Sequence, residues 1–261
     1  MTRTLGFDEE TSRRIEAMYR SPDAIRRRSL VLSLLEPRSG ERVLDVGCGP
    51  GFLASELAAA VGPHGRVDAI DSSPVMLGLA KARCEALPWV AVREGDAARP
   101  GFDDAAFDAI ASVQVHEYVR DVEGSLREAA RVLRPGGRLL LVATDWDSIV
   151  WAADDAARMA RVLSAFDEHL AHPDLPRRLE PLLRDAGFEP RRCEVLVQMN
   201  RVYDPNTFSA GLLELIRRFV PGRRGVDRDE ADAWADDLRG RGARGAYFFS
   251  LNQYAFLAVK L

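Results

Sequence analysis

The stretch LDVGCGPGF, residues 44–52, sets Gly47, Gly49 and Gly51 within five positions, directly after an apolar run that carries Asp45. A strand that runs through glycines into a helix is a nucleotide-binding arrangement. Glycine tolerates unusual dihedrals and lets a ligand approach the backbone, and the helix start offers free N–H groups. The dinucleotide fingerprint G-x-G-x-x-G/A fails here, because Phe52 stands three places after Gly49. Asp45 would also repel a pyrophosphate. The loop therefore predicts a ligand that carries positive charge.

Working outward, β-like runs fall at 42–46, 66–70, 89–93, 107–113 and 138–143, separated by helical patterns near 51–61, 74–86 and 122–134. Strands alternating with amphipathic helices predict a parallel sheet covered on both faces. The segment SSPVM supplies an N-cap and an early proline for the second helix, and RPGG at 134–137 stops the third. Residues 8–36 read as two helices broken at SPD. Residues 205–240 read as helical again, between strands expected at 192–199 and 249–259. Asp71 closes the second strand, where a carboxylate can accept from both ribose hydroxyls. Asp96 follows the third strand, within reach of an adenine amino group. Acids after three successive strands, with a bare glycine loop, describe a pocket for a ribonucleoside without phosphates.

Taken together, VLDVGCGPG, VDAIDSS, EGDA, FDAIASVQVHEYV and RVLRPGGRLLLV, in that order across roughly 40–145, resemble the class I S-adenosylmethionine-dependent methyltransferases. The likeness is to the ubiquinone/menaquinone-biosynthesis-like small-molecule group. The resemblance implies a doubly wound, mostly parallel, seven-stranded α/β sheet with S-adenosylmethionine as cofactor and no metal. Asp45, Gly47, Gly49 and Gly51 would meet the methionine part, and Asp71 the ribose. Asp96 and Ala97 would meet the adenine; Ser72, Met76 and Gln114 would line the site. Tyr19 and Arg28 would close it from an N-terminal helix. The implied division is cap helices at 1–38, a core at 39–200 and 241–261, and a helical cover over the acceptor at 201–240.

The acceptor is expected above the fourth and fifth strands, facing QVHEYV and TDWDS. Methyl transfer is an in-line displacement, so positioning supplies much of the rate, and a protic acceptor needs a base. His116 is the first candidate base, or a loop hydrogen-bonding group; Asp145 is the second, or a substrate-orienting or capping group. Tyr118, Trp146, Trp151 and Tyr254 form a candidate aromatic wall, or core. His169 and His172 have helix-compatible metal spacing but no third partner, and read as a solvated helix end. Arg26-Arg27-Arg28 and Arg223-Arg224 read as solvated charge runs.

Composition narrows the functions. The 261 residues carry a formal net charge of −4, with no general attraction for nucleic acid or anionic membrane. Three scattered cysteines, a polar start and no run long enough for a membrane span suggest a cytoplasmic enzyme, monomer or homodimer. The expected reaction is methyl transfer to an O, N or C atom of a small, mostly apolar metabolite. The alternatives are a cyclase of natural-product metabolism or a non-catalytic cofactor-binding subunit on the same fold.

Overall fold

The computed structural model describes Glu16 and residues 18–261. The first of the two helices expected within 8–36 lies largely outside the described residues. Seven strands follow: β1 (Arg42–Val46), β2 (Arg66–Asp71), β3 (Val90–Glu94), β4 (Phe107–Val113), β5 (Leu133–Trp151), β6 (Phe188–Asn200) and β7 (Phe249–Lys260). They form one sheet in the order β3-β2-β1-β4-β5-β7-β6. The first five strands are parallel, and β7 runs antiparallel between β5 and β6.

Helices α1 (Pro22–Leu35), α2 (Phe52–Val61) and α3 (Pro74–Cys84) pack on one face through Val31, Leu35, Leu57 and Ala80, against Val43, Val67, Ala109 and Val142. On the other face, α4 (Val122–Val132) and α6 (Leu179–Asp185) bury Leu126 and Leu183 against Leu44, Ile110 and Leu141. The central strands β1, β2 and β4 are buried on both sides, as their near-continuous apolar runs require, while the edge strands β3 and β6 are partly exposed. Capping follows the sequence. Ser21 accepts from Ala24 N–H ahead of Pro22, so SPD is the start of α1, and Ser73 caps α3 ahead of Pro74. Among the described residues, no helix is long and apolar enough to cross a membrane.

A third cluster sits beyond the tip of β5. It joins α5 (Ala156–Phe166), α7 (Phe208–Phe219) and α8 (Arg228–Ala243) around Trp146, Trp151, Trp234 and Phe249. The helices α7 and α8 occupy the region expected to be helical. The helices α5 and α6 fill a stretch that the sequence pattern left unassigned.

Glycine 51 shows what the opening loop requires. Its φ is 78°, and a Cβ there would lie 2.8 Å from the Ala80 Cα on α3. At Gly49 (φ 51°), the nearest atom to such a Cβ is the Tyr19 hydroxyl at 3.6 Å. Gly51→Ala should therefore cost about 2–4 kcal/mol, combining left-handed strain with overpacking, and Gly49→Ala only about 1 kcal/mol. Denaturant unfolding of the two variants checks this; equal losses would show that contact with α3 does not dictate Gly51.

Candidate functional site

The site grows from the tips of β1 and β2. Gly47 N and Cys48 N both donate to the Ile70 carbonyl, at 2.8 and 2.9 Å, which folds the glycine turn over β2. Asp71 then ties the turn down. Its Oδ2 accepts from Gly49 N at 2.8 Å, and its Oδ1 accepts from Ser73 N at 2.9 Å. Each oxygen keeps a further lone pair for a ligand. Val115 seats the β4 loop on the same turn, since a Cβ on Gly47 would fall 2.2 Å from Val115 Cγ2.

Asp45 lies beneath this turn, 2% exposed, with Oδ2 lacking any partner. Burial first, and the Asp71 carboxylate second, push its carboxyl up to about 8; the Ala54 N–H opposes them. A buried acceptor oxygen without a partner fits a cationic ligand.

Tyr19 closes the turn from outside, its ring stacked on Phe52 at 6.2 Å. Arg28 is committed elsewhere: its Nε donates to Glu56 and its Nη1 to the Tyr19 carbonyl, each at 2.7 Å. It therefore anchors the tyrosine instead of facing a ligand. The neighbouring Arg27 points under α1, where Nη1 meets Gln253 Oε1 at 3.4 Å and Nε has no partner.

Gln114 ends β4 at a φ of 56°, a left-handed conformation uncommon outside glycine, and donates to Thr144 Oγ1 at 3.0 Å. Asp96 is exposed and turns the chain by accepting from Ala98 N at 2.8 Å. Ser72 is exposed, while Met76 is buried at the start of α3.

His116 does not face this cleft. It is 3% exposed, with Nδ1 and Nε2 each 3.1 Å from a serine hydroxyl, those of Ser112 and Ser125. Ser125 Oγ donates to the Ala97 carbonyl at 3.0 Å, so it accepts from His116 Nε2–H, and Ser112 donates to Nδ1. Burial lowers the imidazole to about 4. With both nitrogens used, His116 bolts β4 to α4 and to Ala97, and the base role expected from its titration range is lost. Asp145 is likewise occupied: Arg177 Nη2 and Nε reach its two oxygens at 2.8 and 3.2 Å.

The aromatic candidates divide. Trp146 and Tyr118 enclose His169 together with Phe166 and Phe219. His169 Nδ1 hydrogen-bonds the Phe166 carbonyl, so this histidine is buried in a cage and is no solvated helix end. His172 instead bonds the Arg120 carbonyl at 3.3 Å. Trp151 is core, packed against Trp234 and Phe249. Tyr254 packs on the α4 face of the sheet, whereas its neighbour Gln253 faces α1.

Sequence reasoning missed Arg27, Glu117, Thr144 and Gln253, each one residue from a chosen candidate. Glu117 is fully buried; its Oε1 accepts from Thr144 N at 3.3 Å and its Oε2 is unpartnered. Burial pushes the carboxyl up to about 7, while hydrogen bonds from its own N–H and from the Thr144 N–H and side chain, and least of all the Arg27 charge, pull it down. The strand alternation carried the missing signal: Thr144 shares a face with Leu140 and Val142, which is the α1 face.

Carboxyls at two adjacent strand tips around a glycine turn, in a 3-2-1-4-5-7-6 sheet, define the class I fold of S-adenosylmethionine-dependent methyltransferases. The chain belongs to that family. Residues 44–141 match the family model described as a methyltransferase domain. It is 30% identical over 174 residues to a demethylmenaquinone methyltransferase of Symbiobacterium thermophilum, covering 58% of this chain and 69% of that one. Against nocamycin O-methyltransferase of Saccharothrix syringae it is 38% identical over 111 residues, 42% of this chain and 40% of that one. The chain spans about half the length, or less, of most of the curated relatives it matches. Among solved structures, BH2331 of Bacillus halodurans C-125 superposes with a TM-score of 0.65 at 21% identity, covering 89% of this chain and 98% of that one. The [4+2]-cyclase SpnF superposes at 0.59 and 24%, covering 91% and 81%. Both share the fold.

Two outcomes follow from the buried groups. Asp45 has an ordinary value of 3.8, so between about 4 and about 8 the folded protein holds a proton that the unfolded chain has released. Its contribution to stability therefore falls as pH rises through that window. Relative to the wild type, Asp45→Asn should gain more than about 1 kcal/mol of stability between pH 5 and pH 8.5, read by urea unfolding at each pH. A constant difference would place the proton elsewhere. His116→Ala should cost about 1–3 kcal/mol, because the buried Ser112 hydroxyl loses its acceptor and the Ser125 oxygen loses its donor, which thermal melts would show.

Proposed function

We propose that this methyltransferase acts on a small, mostly apolar acceptor bound between α1, the β4–β5 tips and the α5–α7–α8 cluster. The observation that carries the reading is Asp45, a buried carboxyl with an empty oxygen beneath a glycine turn, next to Asp71 on the adjacent strand tip. The pair supports a cationic nucleoside and disfavours a phosphorylated one. When bound, S-adenosylmethionine supplies an electrophilic methyl group on sulfur. In this reading Asp45 and the Gly47–Gly51 backbone hold its methionine end, and Asp71 its ribose. Asp96 and Ala97 flank the adenine; Ser72, Met76 and Gln114 line the pocket, and Tyr19 covers it.

The chain's remaining task is to align the acceptor with the methyl carbon and exclude water. Holding reacting atoms about 3–3.5 Å apart in line supplies most of the acceleration. The aromatic and aliphatic surfaces of Trp146, Phe166, Leu212 and Phe219 support an apolar roof. The segment 201–240 serves as the cover, with α5 beside it. The nocamycin enzyme is an O-methyltransferase by name, and a comparable role in secondary metabolism suits this chain.

Titration calorimetry with S-adenosylhomocysteine tests the cofactor half. Asp71→Ala should weaken binding at least tenfold, because the ribose hydroxyls lose their acceptor and Gly49 loses its anchor. Unchanged affinity would overturn the ribose assignment. Formation of S-adenosylhomocysteine from S-adenosylmethionine with an acceptor separates methyl transfer from a cyclase or a silent cofactor-binding subunit.

A further inference from the structure

Between α1 and the sheet, a row of polar side chains crosses four strands' worth of apolar core. Gln198 on β6 donates to Gln253 Oε1 at 3.0 Å, and Gln253 donates to Thr144 Oγ1 at 3.1 Å. Gln114 reaches the same hydroxyl from the end of β4. Gln198, Gln253 and Thr144 are buried, so the row must satisfy itself, and the bonds above largely do so.

Two groups beside it stay unsatisfied: Arg27 Nε, on a side chain 3% exposed, and Glu117 Oε2, on one 0% exposed. They carry opposite charge and feel each other electrostatically. Among the described residues, no ion pair within 4.0 Å joins them. Two buried, opposite charges left apart cost more than a closed pair unless something completes them. The missing piece must accept a hydrogen bond from Arg27 and donate one to Glu117. A hydroxyl does both through one oxygen. A carbonyl or ether cannot donate, and an ammonium cannot accept and is repelled by the permanent guanidinium charge.

Resting on the methyltransferase reading, we propose that Arg27 and Glu117 clamp the hydroxyl of a phenol- or enol-type acceptor, making that oxygen the atom methylated. The oxygen lone pair forms the new O–CH3 bond as the S–CH3 bond breaks and its electron pair stays on sulfur. The hydroxyl proton passes to Glu117 Oε2, and the Arg27 guanidinium holds the negative charge that grows on oxygen. Thr144 N–H fixes the other carboxylate oxygen, and the Glu117 carbonyl is pinned by Ala171 N and His172 N at 2.9 and 3.0 Å. The clamp is therefore rigid before the acceptor arrives.

The test uses protein loaded with S-adenosylhomocysteine and two probes, 4-nitrophenol and its methyl ether 4-nitroanisole. Wild type should prefer the phenol at least tenfold by equilibrium dialysis. Glu117→Met and Arg27→Met should each bring that ratio toward one while cofactor affinity holds. Should Arg27→Met fail to fold, Glu117→Met decides alone. Glu117→Gln keeps an acceptor oxygen but cannot take the proton. It should retain the preference, and its conversion of 4-nitrophenol to 4-nitroanisole with S-adenosylmethionine should fall at least a hundredfold. Absence of phenol binding, no preference in the wild type, a ratio unchanged in Glu117→Met, or methylation of 4-nitroaniline in place of the phenol overturns the clamp. Failure of wild type to bind S-adenosylhomocysteine strikes the underlying reading instead.

Discussion

The structure depends on how it tolerates two carboxyls at neighbouring strand tips. Asp45 and Asp71 come together because β1 and β2 are parallel and in register: Asp45, one place before the end of β1, lies opposite Ala69, two places before Asp71 at the end of β2. Like charges at close range, one of them buried, cannot both be bare. The fold resolves the conflict asymmetrically. Asp71 is partly exposed and takes two backbone N–H donors, those of Gly49 and Ser73. Asp45 has burial against it and a carboxyl shifted toward the neutral form. A positive charge beside Asp45 would favour its ionised form and so oppose both causes of the shift.

The same carboxylate explains why the glycines are spaced as they are. Asp71 reaches Gly49 N only because the turn doubles back over Ile70, with Gly47 and Cys48 sharing that carbonyl. Gly47 and Gly51 are dictated by packing, against Val115 and Ala80, whereas Gly49 is dictated by its conformation and by Tyr19 above it. Packing inside the fold and contact with the covering tyrosine thus fall on alternate glycines of one loop.

Much of this was legible in the sequence. Alternating periods predicted the sheet, and Ser73 with Pro74 predicted the start of α3. Four chosen candidates sit one residue from a buried polar side chain: Arg28 beside Arg27, His116 beside Glu117, Asp145 beside Thr144 and Tyr254 beside Gln253. For the two pairs on strands, Asp145 with Thr144 and Tyr254 with Gln253, side chains alternate faces, so a residue chosen for its chemistry has even odds of facing either layer. The phase was present in principle. Leu140 and Val142 lead to Thr144, and Leu251 and Ala255 flank Gln253. Nothing in one sequence said which face α1 would cover, and histidine, aspartate and tyrosine drew attention that glutamine and threonine did not. The stretch 152–187 failed differently. Its helices α5 and α6 are short and separated by turns around Pro173 and Pro176, so no apolar period lasts long enough to be read.

The cap and the cover are physically one piece. Asp23, in the first turn of α1, accepts from Asn200 Nδ2 at the end of β6 and from Phe208 N at the start of α7, both at 3.1 Å. Asn200 in turn accepts from Ser209 N at 3.1 Å. Above this junction, Met18 fills the notch left by Gly211, where a Cβ would meet its Cγ at 2.2 Å. Tyr19, next in the chain, lies over the glycine turn. Met18 and Asp23 therefore both tie the segment that carries Tyr19 to α7. The residues over the glycine turn and the start of α7 share one set of contacts, so neither can be positioned independently of the other.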